Sequence, residues 1–177
     1  MNNSQERGTL EGRSEEERAE IIRKIGLAAL KFFIIKVNPQ KRMTFDPKES
    51  VDMQGQTGPY VQNAYVRIRS VLRKGGQQDL SLAKDYTQLA VQEKNLIANL
   101  FGFPELITQA GEEYDPSSLA NYCYNLAKSF HKFYTDYSIL NAESEAAKAF
   151  RIVLSTAIAN VLKTGMDLLG IEMPEKM

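Results

Sequence analysis

Residues 119–137 read Leu-Ala-Asn-Tyr-Cys-Tyr-Asn-Leu-Ala-Lys-Ser-Phe-His-Lys-Phe-Tyr-Thr-Asp-Tyr. Leu119, Tyr122, Leu126, Ser129 and Phe133 recur at spacings of three and four, the period of one helix face, and no two-residue alternation competes with it. Asp115-Pro116 lies just upstream, where an acceptor side chain followed by proline opens a helix. A helix from there to about residue 139 is the expectation, and it makes the chain's class a question of whether its neighbours are helical too.

They read that way in both directions. Upstream, Ser14 is followed by Glu15, Glu16 and Glu17, a capping box with acids in the first turn. The helix it starts should run over 15–37, with Ile21, Ile25, Ala28, Phe32 and Ile35 on one face, and Asn38-Pro39 should end it. Residues 38–58, with two prolines and two glycines, read as a long ordered loop in which 43–47 can form a short extended piece. Pro59 opens the next helix, with Thr57 or Gly58 as its cap and Val61, Ala64, Tyr65, Ile68 and Leu72 as its apolar stripe. Gly75-Gly76 stops it. Downstream, helices are expected over 87–100, 104–111 and 144–169, the last closed by Gly170 with Pro174 beyond. The class is all-α: a helical bundle over 76–177, a helical segment over 15–75 before it, and a loose lead-in over 1–14.

Composition removes several function classes. One cysteine, Cys123, allows no internal disulfide, and one histidine, His131, beside it leaves no Cys/His zinc site. There is no Walker or dinucleotide glycine loop. No Glu-x-x-His pair suggests a di-metal bundle. The polar, acidic start is unlike a signal peptide, and the longest apolar run, Ile25 to Ile35, includes Lys31 and is too short for a bilayer. A cytoplasmic protein is the expectation. Charge is balanced overall, 22 basic against 22 acidic residues, but unevenly placed. Residues 1–75 hold 14 against 9, a balance of +5; residues 76–177 hold 8 against 13, a balance of −5. Either the two halves differ in their preference for an anion, or solvated helix faces average out.

The 119–137 stretch is also the chemically richest. It holds four tyrosines, two phenylalanines and the only histidine. His131 and Tyr134, three apart, are surface neighbours on a helix. Unpaired RNA bases are bound by stacking on such rings and by hydrogen bonds to their edges. The competing reading is an aromatic-rich core face. It suits the phenylalanines best and leaves the tyrosines open.

Two further stretches, taken with this one, resemble arginyl-tRNA synthetases. Residues 43–74, Met-Thr-Phe-Asp-Pro-Lys-Glu-Ser-Val-Asp-Met-Gln-Gly-Gln-Thr-Gly-Pro-Tyr-Val-Gln-Asn-Ala-Tyr-Val-Arg-Ile-Arg-Ser-Val-Leu-Arg-Lys, are similar to the part of those enzymes that follows the class I catalytic domain. Residues 119–134 resemble their anticodon-binding helix, and Gly-Met-Asp-Leu-Leu-Gly-Ile-Glu-Met-Pro-Glu-Lys-Met (165–177) resembles their C-terminus. The likeness covers 15–177. Asn63 stands where tyrosine is usual and Val66 where alanine is usual.

The resemblance implies an arginine–tRNA ligase whose full length uses ATP with magnesium. The His-Ile-Gly-His and Lys-Met-Ser-Lys signatures that hold ATP there do not occur here. It therefore implies a C-terminal piece, inactive alone and without cofactor, that docks tRNA(Arg) beside a missing N-terminal catalytic domain, with no membrane or DNA role. By position, 15–75 is a stem-contact segment and 76–177 the anticodon-binding bundle. Asn121, Tyr122, His131, Tyr134 and Met177 are the implied anticodon contacts; Tyr60, Gln62 and Arg67 are implied contacts to the tRNA body. Residues 171–177 are expected to order against 119–137. The rival is a free-standing helical interaction module with no RNA role.

Overall fold

A computed structural model describes residues 14–177 except 45, 51, 53, 77 and 78. The lead-in over 1–13, and position 45 of the expected extended piece, lie outside the described residues. Seven α-helices and one 3-10 segment make up the described residues, and no strand is among them.

α1 spans Glu15–Ile35, and its Ser14 side chain accepts from the Glu17 N–H while Glu17 reaches back to the Ser14 N–H. Its last turn gives way at Lys36, two residues before the expected end. The loop contains a single helical turn, α2 (Pro47–Ser50), where Asp46 accepts from the Lys48 and Glu49 amides. α3 (Gly58–Gly75) is capped by Thr57, with proline in its first turn, and stops at Gly76, whose φ of 61° suits glycine. The 3-10 segment Leu80–Asp85, absent from the sequence reading, is started by Asp79 accepting from the Ser81 N–H. α4 (Val91–Phe101) begins four residues later than expected because Glu93 reaches back to the Ala90 N–H at 2.7 Å. α5 (Phe103–Glu112), α6 (Pro116–Asp136) and α7 (Glu145–Leu168) follow. α6 stops at Asp136, short of 139, and the chain turns so that the Ser138 carbonyl accepts from Arg151 on α7.

α3 is the central post. It packs on α1, α6 and α7, while α6 also carries α4 and α5. One apolar cluster joins Ala28 and Phe32 of α1, Val61, Ala64 and Ile68 of α3, Leu126, Phe130 and Phe133 of α6, and Ile158, Leu162 and Met166 of α7. The core is thus continuous across Gly75-Gly76. Helices approach closely at two glycines. A Cβ on Gly58 would lie 2.3 Å from the Ala28 carbonyl oxygen, and one on Gly165 would lie 2.6 Å from the Cys123 sulfur. A buried ion pair fastens the other end: Arg151 Nε donates to Glu93 at 2.8 Å, with side chains 3% and 0% exposed. Arg151 also donates twice to Glu143.

After α7, Gly170 adopts φ 68° and the Ile171 N–H returns to the Met166 carbonyl, a left-handed helix stop. Ile171, Met173 and Pro174 are then buried. The tail's polar anchors are on α1 and α3. Arg23 and Lys24 pair with Glu172; Glu175 accepts from Tyr65 Oη at 2.8 Å and Arg69 Nε at 2.7 Å. The tail is therefore ordered as expected, but no hydrogen bond or ion pair among the described residues joins it to α6.

Candidate nucleic-acid interface

Two stripes meet along the α3–α6 groove. Tyr60 and Arg67 are seven apart on α3; Tyr124 and His131 are seven apart on α6. Seven residues are close to two helical turns, so each pair shares a face. The Tyr60 ring lies 5.0 Å from the His131 ring and 5.2 Å from that of Tyr124. An Arg67 Nη donates to His131 Nδ1 at 2.9 Å, and its guanidinium lies 5.2 Å from the centre of the Tyr134 ring. Tyr134 is 38% exposed. Among the described residues no ion pair includes Arg67, so none of their carboxylates neutralises the cation that it brings to the groove.

The electrostatics of the cluster follow from its depth. Burial, and then the Arg67 charge, push the His131 pKa down to about 4. The ring is neutral at physiological pH, as an acceptor for Arg67 must be. Burial also raises the Tyr60 hydroxyl, chiefly through lost hydration, so it stays protonated. The result is a neutral aromatic wall bearing one fixed positive charge, which can stack a base and attract a phosphate at the same point.

The sequence-implied residues do not all gather here. His131, Tyr134, Tyr60 and Arg67 do. Asn121 and Tyr122 lie two to three residues before Tyr124 on α6 and are engaged elsewhere. Asn121 Oδ1 accepts from Gln56, and its amide donates to the Lys36 carbonyl, so it ties α6 to the α1 end and the loop before α3. Tyr122 donates to the Asn99 carbonyl at 2.8 Å and stacks on Phe103 at 5.4 Å; burial pushes its hydroxyl up to about 12. Gln62 is 0% exposed and donates to the Lys24 and Glu172 carbonyls, which takes it off the surface. Met177 is partly exposed at the end of the tail. Tyr124 is a member that the sequence reading passed over. Its i, i+7 relation to His131 was a visible signal, but only α3 shows which face of α6 the groove uses.

The chain is similar to known proteins along nearly its whole length. A family model described as DALR anticodon binding domain matches residues 61–177. An arginine–tRNA ligase of Parabacteroides distasonis is 48% identical over 98% of this chain, and one of Bacteroides fragilis is 49% identical over the same share. The chain spans about 30% of the length of these curated relatives. Among solved structures, Thermus thermophilus arginyl-tRNA synthetase superposes with a TM-score of 0.82 at 35% identity, covering 94% of this chain and 28% of that one. The family match takes in all of α3 beyond its first turn and every later element, α6 with its exposed rings included. On that extent of agreement, the chain belongs to the DALR anticodon binding domain family.

Proposed function

We propose that this chain is the tRNA-binding region of an arginine–tRNA ligase, docking tRNA(Arg) and reading its anticodon loop for a catalytic part that uses ATP with magnesium. The observation that carries the reading is the Tyr60–His131–Tyr134 cluster with the guanidinium of Arg67. Loop bases stack on the exposed Tyr134 face and the Tyr60 edge, while Arg67 meets an adjacent phosphate. Met177 is kept as a lesser contact. Asn121 and Tyr122 support the helix that carries the site. The division of labour proposed is a stem-contact role for 15–75 and anticodon recognition by 76–177, with α3 contributing its rim to the latter. The −5 balance of 76–177 is tolerable because stacking needs no net charge, and attraction to the backbone comes from the +5 half.

Titration with an RNA hairpin carrying the anticodon loop of tRNA(Arg), alongside one with a scrambled loop, tests this. Tyr134→Ala is expected to weaken binding of the matched hairpin by about 1–3 kcal/mol and to leave helicity intact. Tyr122→Ala is expected to lower the urea midpoint instead, since it empties the packing against Phe103 and strips the Asn99 carbonyl of its partner. Equal binding of matched and scrambled loops, or no effect of Tyr134→Ala, would favour the interaction module without an RNA role.

A further inference from the structure

Asn63 stands between the two residues that α3 brings to the groove. Tyr60, Asn63 and Arg67 follow at spacings of three and four, so they share one face of the helix. Val61, Ala64 and Ile68 are buried in the core, whereas Asn63 is partly exposed. Among the described residues no hydrogen bond or ion pair engages the Asn63 side chain. It lies in the interior of an 18-residue helix. An unbonded asparagine there disfavours the helix relative to alanine, because its amide competes for backbone groups. A residue that breaks a local rule with no packing return is expected at a functional site. The enzymes that the chain resembles usually carry tyrosine at this place, so the amide sets this chain apart from their pattern.

We infer that Asn63 is a specificity-determining residue, whose amide hydrogen-bonds the edge of the loop base that stacks at Tyr60; this rests on the RNA-binding reading above. An amide presents a donor and an acceptor side by side. It pairs with a base edge that offers the same two groups in reverse, as adenine does with its N6 amino group and N7. A phosphate is a poorer partner, since it offers acceptors only and Arg67 already supplies a charged donor for it. The other neutral hydrogen-bonding groups near the groove are taken. Gln62, the other amide of α3, is buried and donates to the Lys24 and Glu172 carbonyls. Asn121 is bound to Gln56 and to the Lys36 carbonyl, and His131 Nδ1 accepts from Arg67. Stacking on the rings accepts any base, because every base has a π-face. Asn63 adds the directional contact that tells one base from another.

The test is a panel of RNA hairpins carrying the anticodon loop of tRNA(Arg), with each loop base replaced in turn. Wild type, Asn63→Ala and Asn63→Leu are titrated against every member. Asn63→Ala should keep the urea midpoint at or above the wild-type value, since alanine is the better helix former. It should weaken the matched hairpin about tenfold and abolish discrimination at one loop position, leaving the others intact. Asn63→Leu, close in size but without polar atoms, should lose the same discrimination, which separates hydrogen bonding from the filling of space. The slope of log affinity against log salt should stay unchanged in both, because no phosphate contact is lost. Full discrimination retained by both variants overturns the inference and leaves the RNA-binding reading standing. So does an equal loss of affinity for every hairpin, which would place the contact on the RNA backbone. A wild type that binds matched and scrambled loops alike removes the RNA-binding reading itself, and this inference with it.

Discussion

His131 faces two things that disfavour its protonation, burial and the Arg67 guanidinium, and its pKa falls from 6.5 to about 4. In the unfolded chain the same ring titrates near 6.5. Between those values the unfolded state binds more protons than the folded one, so the neutral ring's contribution is present above about pH 6.5 and is lost as the pH falls toward 4. Urea unfolding at a series of pH values from 7.5 to 4 is expected to show the wild type losing stability faster than His131→Gln over that window. The glutamine keeps an acceptor for Arg67 and cannot charge. Parallel curves for the two proteins would mean that the ring is solvated in solution.

At the scale of elements, the helix crossings are set by what is missing at two glycines and by one buried charge pair. Gly165 lets α7 approach α6 until the Cys123 sulfur occupies the room of a side chain. Gly165→Ala should therefore cost about 1–3 kcal/mol by overpacking. Adding Cys123→Ala should recover much of that loss in a double-mutant cycle of urea midpoints, because the clash is with that one atom. Arg151 joins α7 to α4 through Glu93 and to the 137–144 connection through Glu143 and the Ser138 carbonyl. Arg151→Ala would strand a carboxylate that is 0% exposed, and is expected to cost about 3–5 kcal/mol. The pair Arg151→Met with Glu93→Leu should cost far less, since it removes both charges together. If the double replacement is as damaging as the single one, the pair's value lies in geometry rather than in charge compensation.

Across the whole molecule, the tail closes the fold. Pro174 is buried, and Glu175 receives Tyr65 and Arg69 while its carbonyl accepts from Arg73. These contacts fix the far side of α3 from the Tyr60–Arg67 groove. The arginine and tyrosine hydrogen bonds hold Glu175 below the ordinary carboxylate range against the opposing effect of burial. Deleting Pro174 to Met177 is thus expected to lower stability by about 1–3 kcal/mol, the worth of hydrogen bonds to a charged group. The measurement is a thermal and urea melt, paired with hairpin titration at a temperature where both forms are folded. A deletion that leaves the melts unchanged but weakens the hairpin would restore the tail to a direct RNA role through Met177.

The sequence by itself determined what depends on near neighbours. Ser14 with Glu17, Thr57 with Pro59, Asp115 with Pro116, and Gly170 fix helix ends through groups one to four residues apart, and each boundary falls within a turn or so of its local signal. The phenylalanines of α6 were legible as core for the same reason: their period matches one face. The 3-10 segment and the start of α4 also rest on local contacts, Asp79 with Ser81 and Glu93 with Ala90, whereas the meeting of Tyr86, Glu93 and Arg151 from three separate stretches was not legible. The site shows the same divide. Periodicity lists the rings of α6 but cannot say which meet solvent, since that depends on what packs over them. Tertiary contacts turned Tyr122 onto Phe103 and Asn121 onto Gln56, buried Gln62 under the tail, and left Tyr134 open beside Arg67. A helix's own residues set its stripe; only the neighbour that arrives from elsewhere in the chain decides which part of that stripe stays free to bind.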